Sequence, residues 1–249
     1  MAIRFLKPVL ALALAPLAAL AGCGSGDDAA TGGDVSGEPV AEVAAPEGQQ
    51  WQDVVTKTEQ GGYLMGNPDA PIKLVEYGAL SCSHCADFAE TAMPDLVSDY
   101  VDSGRVSYEL RFVVLNGMDV PAALLAQCSA PEATIALSEQ FWANQGQFFQ
   151  AAQSAPESAF QQASQLPPEQ RLVAMAQIFG MTDFFAQRGI SRDQANACLA
   201  DVDNAQAFVE QSNSYEVTST PTLEINGTRL TTAPTWEALE PELQRAGAR

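Results

Sequence analysis

The segment Cys82-Ser83-His84-Cys85 restricts this chain more than any other feature, because of what stands on either side of it. Ile72-Lys73-Leu74-Val75-Glu76-Tyr77-Gly78 is short and mostly apolar, which predicts a strand near the centre of a sheet, entered through a turn at Asn67-Pro68-Asp69. Beyond Cys82 the period becomes helical. Phe88, Ala92, Leu96 and Tyr100 recur at intervals of four, with Ala89, Met93 and Val97 beside them. Pro94 predicts a kink in this helix, and Gly104 its end. Val106 to Leu115 reads as a second strand. Strand, helix and strand at these lengths make a right-handed βαβ unit with the cysteine pair where strand gives way to helix.

That position has chemical consequences. A helix N-terminus carries unpaired N–H groups and partial positive charge, so a thiolate on Cys82 is stabilised there. A protonated His84 adds a second favourable charge, and its ring N–H can donate toward sulfur. A stabilised thiolate favours the reduced state and makes the disulfide oxidising. The spacing of three lets the two sulfurs meet, with Cys85 one turn in as the buried, resolving thiol. A C-x-x-C is otherwise half of a zinc site, but a second pair is missing: Cys128 and Cys198 are single, and His84 is the only histidine. A purely structural short-loop disulfide is the other alternative, and for His84 alone it is an exposed residue at a helix start. Met118, Phe141, Phe148 and Phe149 read as core residues, and neither a cofactor nor a metal is expected.

The chain begins with Arg4 and Lys7, then an apolar run from Val9 to Ala21, the form of a signal peptide over residues 1–22. The run ends in Leu20-Ala21-Gly22-Cys23, the pattern of a bacterial lipobox in which Cys23 receives lipid and becomes the new N-terminus. Ala19-Leu20-Ala21 also fits an ordinary secretory cleavage site. Residues 23–50, rich in Gly, Asp, Ala, Glu and Pro, read as a flexible acidic tether. An exported protein lies where disulfides persist. Of five cysteines, four remain if Cys23 is lipidated, and an even count suggests two disulfides, one of them between Cys128 and Cys198. Two separate buried thiols are the alternative for that second pair. The formal net charge of −19 excludes nucleic acid as a partner, since binding phosphates needs clustered cations.

Further along, residues 118–200 are rich in Ala, Gln, Leu and Phe with breaks at Pro131, Pro156, Pro167-Pro168 and Gly189, which predicts several helices forming an insertion. Leu223–Ile225 and Thr228–Leu230 flank Asn226-Gly227, a strong signal for a type I′ hairpin. Thr235 to Ala246 is a terminal helix with Trp236, Leu239 and Leu243 on one face, weakened in its middle by Pro241.

Gly66-Asn67-Pro68-Asp69-Ala70-Pro71, Glu76-Tyr77, the C-x-H-C and Thr220-Pro221-Thr222 together resemble the DsbA family of thiol–disulfide oxidoreductases, from about Gly62 to the C-terminus. The resemblance implies an α/β, thioredoxin-like fold with an inserted helical domain: residues 51–117 as its first part, 118–200 as the insertion and 201–249 as its second part. It implies Cys82 as reactive cysteine, Cys85 as buried partner, and Glu76 as the buried acid that handles protons for the partner thiol; an exposed strand residue is the alternative for Glu76. It also implies that Thr220-Pro221 forms a cis bond facing the disulfide and meets the substrate, where base rates alone favour trans. The implied activity is disulfide donation to, or exchange with, exported proteins that carry cysteines. Reoxidation would come from a quinone-linked membrane partner, and the place is the cell envelope or periplasm, on a lipid anchor. Ser83 stands where the best-known oxidants have Pro, and Thr220 is the residue often found in isomerases. An isomerase or reductase of the same fold therefore stays open, as does a non-catalytic, client-binding lipoprotein. Isomerases of this superfamily usually add a dimerisation domain, for which 51–62 is too short. Mass spectrometry of the mature N-terminus is expected to find a lipid-modified Cys23; an unmodified start at Gly22 would show ordinary secretion instead.

Overall fold

The computed structural model describes residues 36–249, so the signal peptide expected over 1–22 and the lipidation expected at Cys23 lie outside the described residues. Strand β3, Ile72–Gly78, is buried except at Lys73. It lies between β4 (Val106–Phe112), which runs parallel to it, and β5 (Thr222–Ile225), which runs antiparallel. The two-residue period of a strand decides where its side chains go. Ile72 and Leu74 join the main core, whereas Val75 and Tyr77 pack on the opposite face with Val113, Tyr215 and Val217. Outside this centre the sheet is antiparallel, in the order β1-β2-β4-β3-β5-β6, with β1 at Val55–Lys57, β2 at Tyr63–Gly66 and β6 at Thr228–Arg229. The hairpin between β5 and β6 turns on Asn226 (φ 50°) and Gly227 (φ 83°), the two left-handed residues that a type I′ turn requires. β1 and β2 are three and four residues long, too short to show a period, and the sequence reading passed over them. The second strand ends at Phe112 and not at Leu115.

The helix after Cys82 is broken where Pro94 was expected to kink it. Helix α1 covers Ser83–Thr91, followed by a short α2 at Met93–Asp95 and a π-helical turn at Leu96–Val101. Pro94 lacks the N–H that would continue the ladder, and the chain resumes with wider bonds, Asp102 N–H donating to the Val97 carbonyl at 2.9 Å. Between β4 and β5 run α3 (Asp119–Ala126), α4 (Pro131–Ala143), α5 (Gln145–Ser154), α6 (Glu157–Gln165), α7 (Pro168–Ile178), α8 (Met181–Ala186), α9 (Arg192–Ala200) and α10 (Val202–Ser214). Phe141 and Phe148 stack at 4.1 Å, and Phe184 meets both edge-on, which gives these helices an aromatic centre. Met118 is buried as well. The last helix, α11 (Trp236–Arg245), seals the sheet with Leu239 and Leu243.

The flexible tether expected over residues 23–50 is corrected for its described part. Residues 36–50 lie along the folded chain: Gly37 N–H donates to the Arg245 carbonyl, Val40 N–H to Gly247 and Val43 N–H to Ser103, all at 2.8–2.9 Å. Trp51 Nε1 and Arg105 Nε donate to the carbonyls of Val43 and Val40. Polar composition alone favours solvation, but extended backbone that finds partners for its N–H and C=O groups does not need an apolar sequence to be held. Gly104, at φ 72°, lets this segment pass, since a Cβ there would collide with the Val43 carbonyl and the Trp51 indole.

Cys128, just beyond α3, and Cys198 in α9 form a disulfide with Cα atoms 6.0 Å apart, across 70 residues. A loop of that length, closed in the unfolded chain, implies about 4 kcal/mol of stabilisation. Equilibrium unfolding in urea is expected to show a loss of that order in the double variant Cys128→Ser/Cys198→Ser, with a lower midpoint and a steeper slope, because the unlinked denatured chain exposes more surface.

Candidate functional site

Cys82 occupies the N-cap of α1, with extended backbone at φ −84° and ψ 120°. Its sulfur takes the part that a serine or aspartate oxygen plays at other helix starts, accepting the Cys85 N–H at 3.4 Å. The sulfur also lies 3.2 Å from the Thr220 carbonyl, to which it donates when protonated. Thr220-Pro221 is a cis peptide bond, with the Thr220 hydroxyl buried beside it. The loop before β5 and the N-terminus of α1 are thus brought together, although 138 residues separate them.

Both cysteines are free thiols and both are buried, Cys85 completely and Cys82 to within 8%. Their electrostatics diverge. The Cys82 thiol is held down to about 5, chiefly by the Cys85 thiol that donates to it. The Thr220 hydroxyl and the backbone amides of Cys85 and His84 add to this, against burial, which acts the other way. Cys85 is pushed far above the ordinary thiol range by burial first, then by its bond to Cys82 and the nearby Glu76 charge. The pair is therefore asymmetric, one sulfur ready to carry charge and the other kept protonated.

Glu76 shares the face of β3 that carries Ile72 and Leu74, and it is wholly buried; the exposed alternative does not hold. Tyr108, two pairs along on β4 and opposite Leu74, donates its hydroxyl to Glu76 Oε2 at 2.6 Å, while Oε1 has no partner among the described residues. Gly78 leaves room for that oxygen, since a Cβ there would lie 2.9 Å from it. Burial, only partly offset by the Tyr108 bond, pushes the Glu76 carboxyl up to about 8. Near neutral pH the site consequently holds a Cys82 thiolate, a Cys85 thiol and a protonated Glu76 beside it.

His84 is exposed, and among the described residues its side chain makes no hydrogen bond; what it offers Cys82 is its backbone amide. The ring donation toward sulfur considered from sequence is not made. The sequence reading also missed Tyr108, whose place opposite β3 only strand pairing reveals, and Asp119, a buried residue that binds Ser81 next to Cys82. Among the described residues no cluster of three or more His, Cys, Asp or Glu is arranged to hold a metal, and no helix is long and apolar enough to cross a membrane.

The family model described as Thioredoxin matches residues 58–245. The chain resembles a protein-disulfide isomerase from Novosphingobium aromaticivorans, with a TM-score of 0.68 and 28% identity, over 73% of this chain and 94% of that one. Alpha-DsbA1 of Wolbachia pipientis shares the fold at a TM-score of 0.58 and 19% identity, over 75% of this chain and 90% of that one. Disulfide bond formation protein D of Bacillus subtilis is 31% identical over 67 residues, 27% of this chain. The matches to curated relatives cover only short stretches, 29% and 30% of the relative's own length in two cases. With the thioredoxin model spanning most of the chain, the chain belongs to the thioredoxin family.

Proposed function

We propose that this protein is a thiol–disulfide oxidoreductase that exchanges disulfides with cysteine-bearing proteins through Cys82 and Cys85. The observation that carries this reading is the opposed tuning of the two sulfurs, Cys82 lowered to about 5 and Cys85 raised. In the oxidised enzyme a substrate thiolate attacks Cys82 Sγ. The Cys82–Cys85 bond breaks, a mixed disulfide forms, and Cys85 leaves with the electron pair and takes up a proton. Glu76, protonated at neutral pH and beside the Cys85 sulfur, is the nearby source of that proton. A second substrate thiolate then attacks the substrate sulfur of the mixed disulfide, the substrate gains its own disulfide, and Cys82 departs as a thiolate. Its low pKa makes it a good leaving group at this step. An extended substrate segment pairs with the Thr220 backbone as an added strand, a reading supported by the nearness of Thr220 to Cys82.

The enzyme emerges reduced and needs an external oxidant, for which a quinone-linked membrane partner is the proposal. Export to the cell envelope and anchoring through Cys23 belong to the same reading. Isomerisation is the second reading, supported by Thr220 before the cis proline and by the name of the Novosphingobium relative.

Two measurements test the proposal. Titrating the ultraviolet absorbance of the reduced protein is expected to show one thiolate transition near pH 5, absent in Cys82→Ser. Alkylation of Cys82 should accordingly slow as pH falls below that value, because only the thiolate reacts. A transition at the unperturbed thiol value of about 8.5 defeats the reading. Equilibration with glutathione should then place the pair above about −200 mV if the enzyme donates disulfides, and nearer −270 mV if it reduces them. Repair of scrambled disulfides without net oxidation would identify the isomerase.

A further inference from the structure

Three residues, Ala79, Leu80 and Ser81, connect β3 to the reactive Cys82, and all three are buried. Such a connection has backbone groups that must be paired. Here the partners are side chains of three successive helices of the insertion. Trp142 of α4 donates its indole N–H to the Ala79 carbonyl at 3.0 Å. Gln145 of α5 donates its amide to the Leu80 carbonyl at 2.7 Å. Asp119 of α3 accepts the Ser81 N–H on one oxygen at 2.7 Å and the Ser81 hydroxyl on the other at 2.9 Å. All three gripping side chains are themselves buried, so none of these bonds competes with bulk water. Asp119 is nearly saturated, since its second oxygen also accepts the Leu115 and Asn116 amides, and Asn116 returns a bond to the Ser81 hydroxyl at 2.7 Å. Each consecutive residue of the connection is thus held by a different helix.

We propose that Asp119, Trp142 and Gln145 are positioning residues, through which the helical insertion holds the segment before Cys82 and so sets the sulfur against the α1 amides and Thr220. The α1 N-cap and the Thr220 loop come from opposite ends of the chain, and their 3.2 Å approach depends on where the connection places Cys82. The insertion then acts on the chemistry of the sulfur although it supplies no group that touches it. The inference rests on Cys82 being the reactive thiol, and its test reads that thiol directly.

The test uses the reduced full chain with Trp142→Phe, Gln145→Met and Asp119→Asn; each weakens or removes a hydrogen bond, and the last two keep side-chain size close, whereas Trp142→Phe also opens a cavity that the melting temperature reads. Ser81→Ala serves in place of Asp119→Asn should the latter not fold. For each, the Cys82 thiolate titration and alkylation rate are measured beside the melting temperature. Leu239→Val in α11, outside the connection, is the control for general loosening. Each clamp variant is expected to raise the Cys82 pKa by about half a unit, roughly threefold less thiolate below the pKa, from the partial loss of one bond's worth of alignment. The control is expected to melt lower with the pKa unmoved. Asp119→Asn gives the sharpest sign: losing a negative charge by itself would lower the Cys82 pKa, so a fall there overturns the proposal. Unchanged titrations in the clamp variants, or an equal rise in the control, overturn it too. An ordinary thiol pKa in the unsubstituted protein would instead defeat the proposed function and is read separately.

Discussion

The Cys85 thiol and the Cys85 amide both reach back to the Cys82 sulfur across one helical turn, and the chemistry of the protein hangs on those contacts. A helix start leaves N–H groups without internal partners, and any electron-rich atom placed there is stabilised. In most helices the atom is a serine or aspartate oxygen and the result is a well-made end. Here it is a sulfur, so the same geometry that caps α1 also lowers the energy of a thiolate. The parallel β3–α1–β4 crossover delivers this arrangement, because it sends the chain from the end of a central strand directly into a helix.

Charge at one sulfur is balanced by its absence elsewhere. Cys85 and Glu76 lie in the dry interior that the crossover encloses, where an ionised group is costly and a protonated one is tolerated. Tyr108 softens that cost for Glu76 without removing it, since one carboxyl oxygen stays unpaired. A fully satisfied carboxylate would be a fixed anion. The half-satisfied one holds a proton at neutral pH and sits next to the thiol that must gain one. Incomplete hydrogen bonding in a core is usually a defect; beside Cys85 it is what gives Glu76 a usable proton.

The ends of the chain show how composition can mislead. Residues 36–50 are acidic and rich in small residues, yet their backbone is paired with Ser103, Arg245 and Gly247. The partners lie between 60 and about 210 residues away, and two of them belong to the last five residues of the chain. Nothing within a local window can register such pairing. β1 and β2 escaped notice for a related reason, because strands of three or four residues are defined by their neighbours and not by their own pattern.

Local rules made much of the site legible. The short apolar run before Cys82 and the period of four after it, the turn residues Asn226-Gly227, and the spacing of the cysteines each act over a few residues, and they sufficed to read the βαβ unit, the hairpin and the reactive pair. The resemblance to the DsbA family added Glu76, Thr220 and Pro221 to that site. Where Glu76 finds its partner, which atoms face Cys82 from the Thr220 loop, and which helices grip the connection before it were decided only by tertiary structure. Those bonds join residues from 32 to 138 positions apart, and their existence depends on the sheet order and on the packing of the insertion. Sequence alone determined that a thiolate could be stabilised at position 82; burial and long-range hydrogen bonding, which no local pattern encodes, decided by how much and with which proton beside it.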